Sequence, residues 1–302
     1  MKLKGRNDVV YKFMSSKVLS AAVLGLECEL VEVEADTHLA LPGIFIVGLP
    51  DKAVDESKER VRSAIKNSGF EVPRRRVTIN LAPADLKKQG PSYDLPIAIS
   101  ILLVSGQLMF ANDWNSQIFI GELAFDGSLR PVNGVLSICL AVKQRGIKAI
   151  YLPAENAAEA SLVSGLDIFP AANLEQIIYH LLGKKLISPY QKTESILDQE
   201  YLKPDNFDMA YIRGQEHAKR ALEIAAAGGH NILMSGPPGS GKTLLAKTVP
   251  TILPTMLLEE SLEVTRIYSV AGLLPISQPL ITRRPFRSPH HTASGTACTI
   301  AR

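Results

Sequence analysis

Asn231-Ile232-Leu233-Met234-Ser235-Gly236-Pro237-Pro238-Gly239-Ser240-Gly241-Lys242-Thr243 joins an apolar run to a glycine-rich loop ending in lysine and threonine, directly ahead of the helix-favouring stretch Leu244 to Val249. A strand stopping at Ser235, a loop whose glycines turn backbone N–H groups inward and a helix offering its positive end together make a cradle for phosphate. In that arrangement Gly236, Pro237, Pro238, Gly239, Ser240 and Gly241 wrap the anion. Lys242 reaches the β- and γ-phosphates, and the Thr243 hydroxyl holds Mg2+. The reading is a nucleotide domain of α/β class that takes ATP with Mg2+.

The rest of the chain is bounded by size and charge. Its 302 residues are 46% hydrophobic, a globular composition with material for two cores. A formal charge of +3 is too small to diagnose a nucleic-acid binder, so basic patches must be argued singly. Cys28, Cys139 and Cys298 are scattered and lack metal-ligand spacing, which suits free thiols in a reducing compartment. At the amino end, Lys2, Lys4, Arg6, Lys12 and Lys17 precede the apolar run Val18 to Leu26 and loosely imitate a secretory leader. Glu27 and Glu29 follow at once without a small-x-small cleavage site, and Glu29 to Glu34 alternates in the strand period. Val18 to Leu24 is therefore read as a first strand, with residues 1–13 an extension ahead of Met14. No apolar run reaches membrane-spanning length, and the expectation is a cytoplasmic protein with no membrane partner.

Strands and helices alternate through the first 180 or so residues. Glu29–Ala35, Ile44–Val47, Val77–Leu81, Ile118–Leu123 and Ala149–Leu152 read as strands; Leu95–Val104, Val135–Gln144 and Leu174–Leu182 read as helices. A further helix opens at Asp51 and runs to about Ser68, with Asp51 as cap and Gly69 as stop. Val54, Val61, Ile65 and Ser68 share its inner face, while Glu56 and Arg60 are expected on a solvated outer face. Arg74-Arg75-Arg76 is read as a solvated sheet edge. Periodicity fades between Gly183 and Asp208 among Lys, Ser, Pro, Gln and Asp. The expected division is a first domain over 14–183, a linker over 184–208 and the nucleotide domain over 209–302.

These residues carry a family resemblance. Gly214-Gln215-Glu216-His217-Ala218-Lys219-Arg220-Ala221-Leu222-Glu223 with the Gly236 loop resembles the opening of an AAA+ module of the magnesium-chelatase type. Val264-Thr265-Arg266-Ile267-Tyr268-Ser269-Val270-Ala271-Gly272 and Arg284-Pro285-Phe286-Arg287-Ser288-Pro289-His290-His291 are similar to signature runs of the ComM/YifB family. In the first domain, Gly48-Leu49-Pro50-Asp51, Asn80-Leu81-Ala82-Pro83 and Asp94-Leu95-Pro96 agree with the same family. The resemblance implies a Lon-protease-like α+β amino-terminal domain followed by an incomplete P-loop AAA+ α/β domain. It also implies that Ile212 and Gln215 border the adenine, and that the whole protein is a hexameric, ATP-driven motor for DNA branch migration in recombination and natural transformation.

Arg283, Arg284, Arg287, His290 and His291 are the densest cationic stretch of the second domain and the candidates for holding DNA phosphates or a neighbouring subunit. As a metal site His290-His291 is disfavoured, since adjacent histidines do not share a helix face. A Lon-like domain raises Ser–Lys peptidase activity. Gly90-Pro91-Ser92 resembles the nucleophile segment, and Gly121-Glu122-Leu123 through Pro131-Val132-Asn133-Gly134 the approach to the base lysine. The register puts Leu136 at or beside the lysine's place, and Lys143 lies about two helical turns further on, so Ser92 has no base. A magnesium chelatase subunit shares the ATPase features; the Lon-like domain argues against it by resemblance. After Ser294 the family pattern leads to a strand ending in paired acids, which coordinate Mg2+ and position water. No such strand occurs before Arg302, and the arginine finger and helical lid are likewise missing, so these residues are expected to hydrolyse little or no ATP.

Overall fold

The computed structural model describes residues 15–109, 116–191 and 208–288. β1 (Ser15–Leu24) and β2 (Glu27–His38) form a long antiparallel hairpin around Gly25, which takes a positive φ. β3 (Gly43–Val47), α1 (Lys52–Asn67), β4 (Arg76–Ala82) and α2 (Asp94–Val104) follow. Then come β5 (Gln117–Phe119), a small hairpin of β6 (Glu122–Leu123) and β7 (Leu129–Arg130), α3 (Val135–Gln144), β8 (Ala149–Pro153), α4 (Ala157–Ala160), β9 (Asp167–Ala171) and α5 (Leu174–Leu181). The main sheet runs β3-β4-β2-β1-β5-β8-β9. It is mixed: β1–β2 and β2–β4 are antiparallel, whereas β3–β4, β1–β5, β5–β8 and β8–β9 are parallel. The expected mixed α/β class is the one observed.

Alternation decides which face is inside. Val31, Val33 and Ala35 of β2 and Val77, Ile79 and Leu81 of β4 are buried, while the residues between them look outward. Against that inner face lies α2, in which every residue from Asp94 to Val104 is buried, as befits a helix apolar on nearly all sides. α1 buries Val54, Val61, Ala64 and Ile65 beside it, and the Asp51 carboxylate caps α1 by accepting from the Val54 N–H at 2.8 Å. Arg60 departs from the expected solvated face. Its guanidinium reaches Asp94 at the start of α2 through Nε at 2.6 Å and a second nitrogen at 3.0 Å. A carboxylate buried with α2 needs a cation, and Arg60 is the residue of α1 that supplies it. Glu56 instead makes a loose surface pair with Lys52 at 3.8 Å. β4 is not an edge either: β3 lies outside it, and Arg76 packs over the Phe45 ring at 4.0 Å.

The chain divides into two compact units, one of residues 1–193 with 265–279 and the other of residues 194–264 with 280–302. Residues 265–279 were read with the nucleotide domain; by contacts they belong to the first unit. The second unit contains α6 (Glu216–Gly228), α7 (Lys242–Thr248) and the first part of α8 (Leu258–Val270), whose residues from Thr265 on belong to the first. Its buried apolar residues are few, with Leu222, Ala226, Leu245, Leu280 and Ile281 the main ones. The expected strand over Asn231–Met234 is not paired into a sheet, and Leu233 is 93% exposed. A strand exists only through its neighbours, and no other strand is present among the described residues of this unit.

Candidate phosphate-binding loop

α6 closes at Gly229, the chain runs without regular structure through Ile232 and Leu233, and the loop turns at Gly239 and Gly241. Both glycines sit at positive φ, +78° and +82°, with nothing within 4 Å of where a side chain would stand. Glycine is required there by backbone conformation. Ser240 N–H donates to the Pro237 carbonyl at 3.4 Å, while no backbone bond of that kind engages the Gly239 or Gly241 N–H among the described residues. Gly241 leads straight into α7, whose first residues are Lys242 and Thr243. Lys242 folds back over the loop and donates to the carbonyls of Gly236 (2.9 Å) and Pro237 (2.7 Å) and to Ser240 Oγ (3.1 Å). Thr243 is exposed at the same helix start. Unbonded amides, a cation bent across them and an exposed hydroxyl are the donor set a Mg2+-bound polyphosphate requires, so the residues fit that group.

Ile212 and Gln215 lie just ahead of α6. Ile212 is half-buried, and Gln215 has φ +61° after Gly214 at +70°. A non-glycine residue held left-handed costs energy and clusters at functional positions. Of the cationic stretch, Arg284 is already engaged: its guanidinium meets Glu260 at 2.8 Å and donates to the Pro254 carbonyl at 3.1 Å. Arg283 and Arg287 are exposed. His290 and His291 lie outside the described residues.

In the first unit, Ser92 is half-buried in a short turn whose carbonyl accepts from the Gly121 N–H at 3.0 Å. Among the described residues no hydrogen bond joins its hydroxyl to a lysine. Leu136, at the lysine's expected place, is buried in the first turn of α3, and its N–H donates to Glu159 at 2.7 Å. Lys143 is exposed on α3. Four residues ahead of Ser92 in sequence, Lys88 is buried, lowered in pKa by that burial and donating to the Pro83 carbonyl. Sequence reading passed over it, and over Glu159, because a lone Lys or Glu in a polar stretch carries no pattern.

Comparison with known proteins adds the following. The family model described as "Subunit ChlI of Mg-chelatase" matches residues 33–156, and that described as "Magnesium chelatase, subunit ChlI" matches 208–300. The chain is 44% identical over 281 residues to the uncharacterized protein YifB of Salmonella typhimurium, covering 93% of this chain and 54% of that protein. It is 41% identical over 277 residues to the competence protein ComM of Haemophilus influenzae, covering 92% and 54% respectively. A fainter likeness, 24% over 168 residues, covering 52% of this chain and 21% of the relative, links it to the Lon protease of Mycolicibacterium smegmatis. The chain thus spans about half the length of the ComM and YifB relatives. Because a model described by the chelatase subunit matches residues 33–156 too, the first domain does not by itself set the chain apart from chelatases. Two family models in the expected order, ComM and YifB at over 40% identity and a fainter likeness to Lon protease agree that the chain belongs to the ComM/YifB group of magnesium chelatase-like AAA+ proteins.

Proposed function

We propose that residues 236–243 bind ATP with Mg2+ and that the protein works as a ComM-type motor, a homo-hexamer that spends ATP to move DNA. The observation that carries the reading is the loop itself, with open glycines, unbonded amides and Lys242 bent across them at the start of α7. When bound, ATP supplies the phosphoanhydride free energy and Mg2+ neutralises its phosphate charge. For this chain the work is positional. The amides of Gly239 and Gly241 line the phosphates, and Lys242 exchanges its carbonyl acceptors for phosphate oxygens. Thr243 Oγ is placed to ligate the cation, and Ile212 and Gln215 border the base. The ComM name, "competence protein", supports DNA as the partner, and Arg283 and Arg287 of the cationic stretch are exposed. The test is equilibrium binding of a fluorescent Mg·ATP analogue. Lys242→Ala should weaken it on the order of 100-fold, and unchanged affinity would move the site elsewhere. Stimulation of ATP turnover by DNA in the whole-length protein tests the motor. Metallation of a porphyrin without that stimulation would favour the chelatase reading.

A further inference from the structure

A buried polar cluster at the start of α3 is not used by the phosphate loop. Ser269 donates from its hydroxyl to Glu159, and accepts from the Gly134 N–H at 3.0 Å. The same Glu159 oxygen accepts from the Leu136 N–H at 2.7 Å. Burial pushes the Glu159 carboxyl above its ordinary range, against the pull of these donors. Three residues earlier than Ser269, Arg266 donates to Ser137 Oγ at 3.0 Å and to the Leu26 carbonyl. All of these residues belong to the first unit. Ser269 and Arg266 come from the run Val264–Gly272 that follows the phosphate loop in sequence, and they are seated on the stretch that resembles the approach to the Lon base lysine.

Two features give the seat a role. It is close to all-or-none, because departure of Ser269 deprives a buried carboxylate of a donor and the Gly134 N–H of its acceptor together. And the helix that delivers Ser269, α8, begins among residues of the second unit. There Glu260 accepts from the Leu257 N–H at 3.0 Å and from Arg284 at 2.8 Å. Each end of one helix is thus tied down within its own unit. We propose that residues 265–279 are a transmission strap whose hold on the α3 seat tightens when nucleotide fills the phosphate loop. The proposal rests on the nucleotide reading above. The direction follows from the few buried apolar residues of the second unit: a ligand that orders such a body lowers the opening of the elements anchored in it.

The experiment is hydrogen exchange by mass spectrometry on the full chain, with and without Mg2+ and a non-hydrolysable ATP analogue, following peptides over 133–139. Binding of the same analogue is measured in parallel. Exchange should slow by about fivefold to tenfold on nucleotide addition, the weight of a hydrogen bond or two. Ser269→Ala should exchange fast with or without nucleotide, and by reciprocity its nucleotide affinity should fall by no more than the same fivefold to tenfold. Arg266→Lys serves as the milder variant should Ser269→Ala lose cooperative unfolding, and it should halve the response or more. Nucleotide that binds while these peptides stay unchanged or speed up overturns the strap and leaves the nucleotide site standing. Absence of nucleotide binding overturns the site and the strap with it.

Discussion

Gly48 shows how a single residue can be fixed by its surroundings. It sits at φ +100°, and a Cβ there would come within 2.2 Å of the Leu81 carbonyl oxygen, a backbone atom that cannot turn aside. Gly48→Ala should therefore destabilise the protein by about 2–4 kcal/mol, read as a lowered midpoint in chemical denaturation. Asp94 is fixed by charge. The guanidinium of Arg60 and the Leu123 N–H favour its ionised form, but burial outweighs them and pushes its carboxyl up to about 6, while Arg60 is itself raised by the partnership. A carboxyl that protonates more readily folded than unfolded adds stability that is full below its ordinary value near 4 and is lost as pH rises through about 6. Asp94→Asn should flatten the stability profile in that window. Arg60→Ala should move the window upward and cost about 3 kcal/mol at neutral pH, since it strands a buried carboxylate.

At the scale of elements, α5 and the chain after it make a second pH-sensitive joint, of opposite sign. His180 Nδ1 accepts from the Ile187 N–H at 2.8 Å, so the ring proton rests on Nε2, which lies 3.1 Å from the Tyr151 hydroxyl. Tyr151 is stacked between Phe119 and Phe169. Burial pushes His180 below its ordinary value. The neutral ring is the folded form, so its contribution is present above about 6.5 and is lost as pH falls. Exchange of the Ile187 amide should accelerate about fivefold between pH 7.5 and 5.5, after correction for intrinsic rates, and His180→Ala should remove that dependence. Most elements of the first domain were legible because alternation and helical spacing write burial directly into sequence, as in β2, β4 and α1. β9 was not, since Pro170 interrupts a strand pattern and is tolerated only because the strand lies at the sheet edge. α4, with four residues, is too short for any period. Asn231–Met234 reads as a strand from its apolar run, yet pairing is a property of the partner, which local pattern does not contain. The turn at Gly239 and Gly241 was legible because its backbone geometry demands glycine there; the seat around Glu159 was not, because it assembles residues more than a hundred positions apart.

Across the whole molecule, the two units differ in substance. The first has a continuous apolar core around α2, whereas the second buries little beyond Leu222, Ala226, Leu245, Leu280 and Ile281. Unfolding by urea should not be two-state: amides of α6 and α7 should exchange through openings of far lower free energy than those of β1 and β2. A saturating Mg·ATP analogue should narrow that gap by about 2–3 kcal/mol at a concentration near 100 times Kd, and Lys242→Ala should abolish the narrowing. No helix among the described residues is long and apolar enough to cross a membrane.

The return of residues 265–279 to the first unit also sets a timetable. On the ribosome the β1–β2 hairpin emerges before the other strands of its sheet and lies near the middle of it, so strands can be laid down to either side as they appear. The last piece of that unit is translated only after most of the phosphate-loop segment. At about 5–20 residues per second the delay is on the order of ten seconds. Throughout it, the Gly134 N–H and the Glu159 carboxyl wait without Ser269, and water must stand in. The nascent first unit is therefore complete in topology before it is complete in bonding, and its interval of greatest exposure to chaperones and proteases falls while the glycine-rich loop of the second unit is being made.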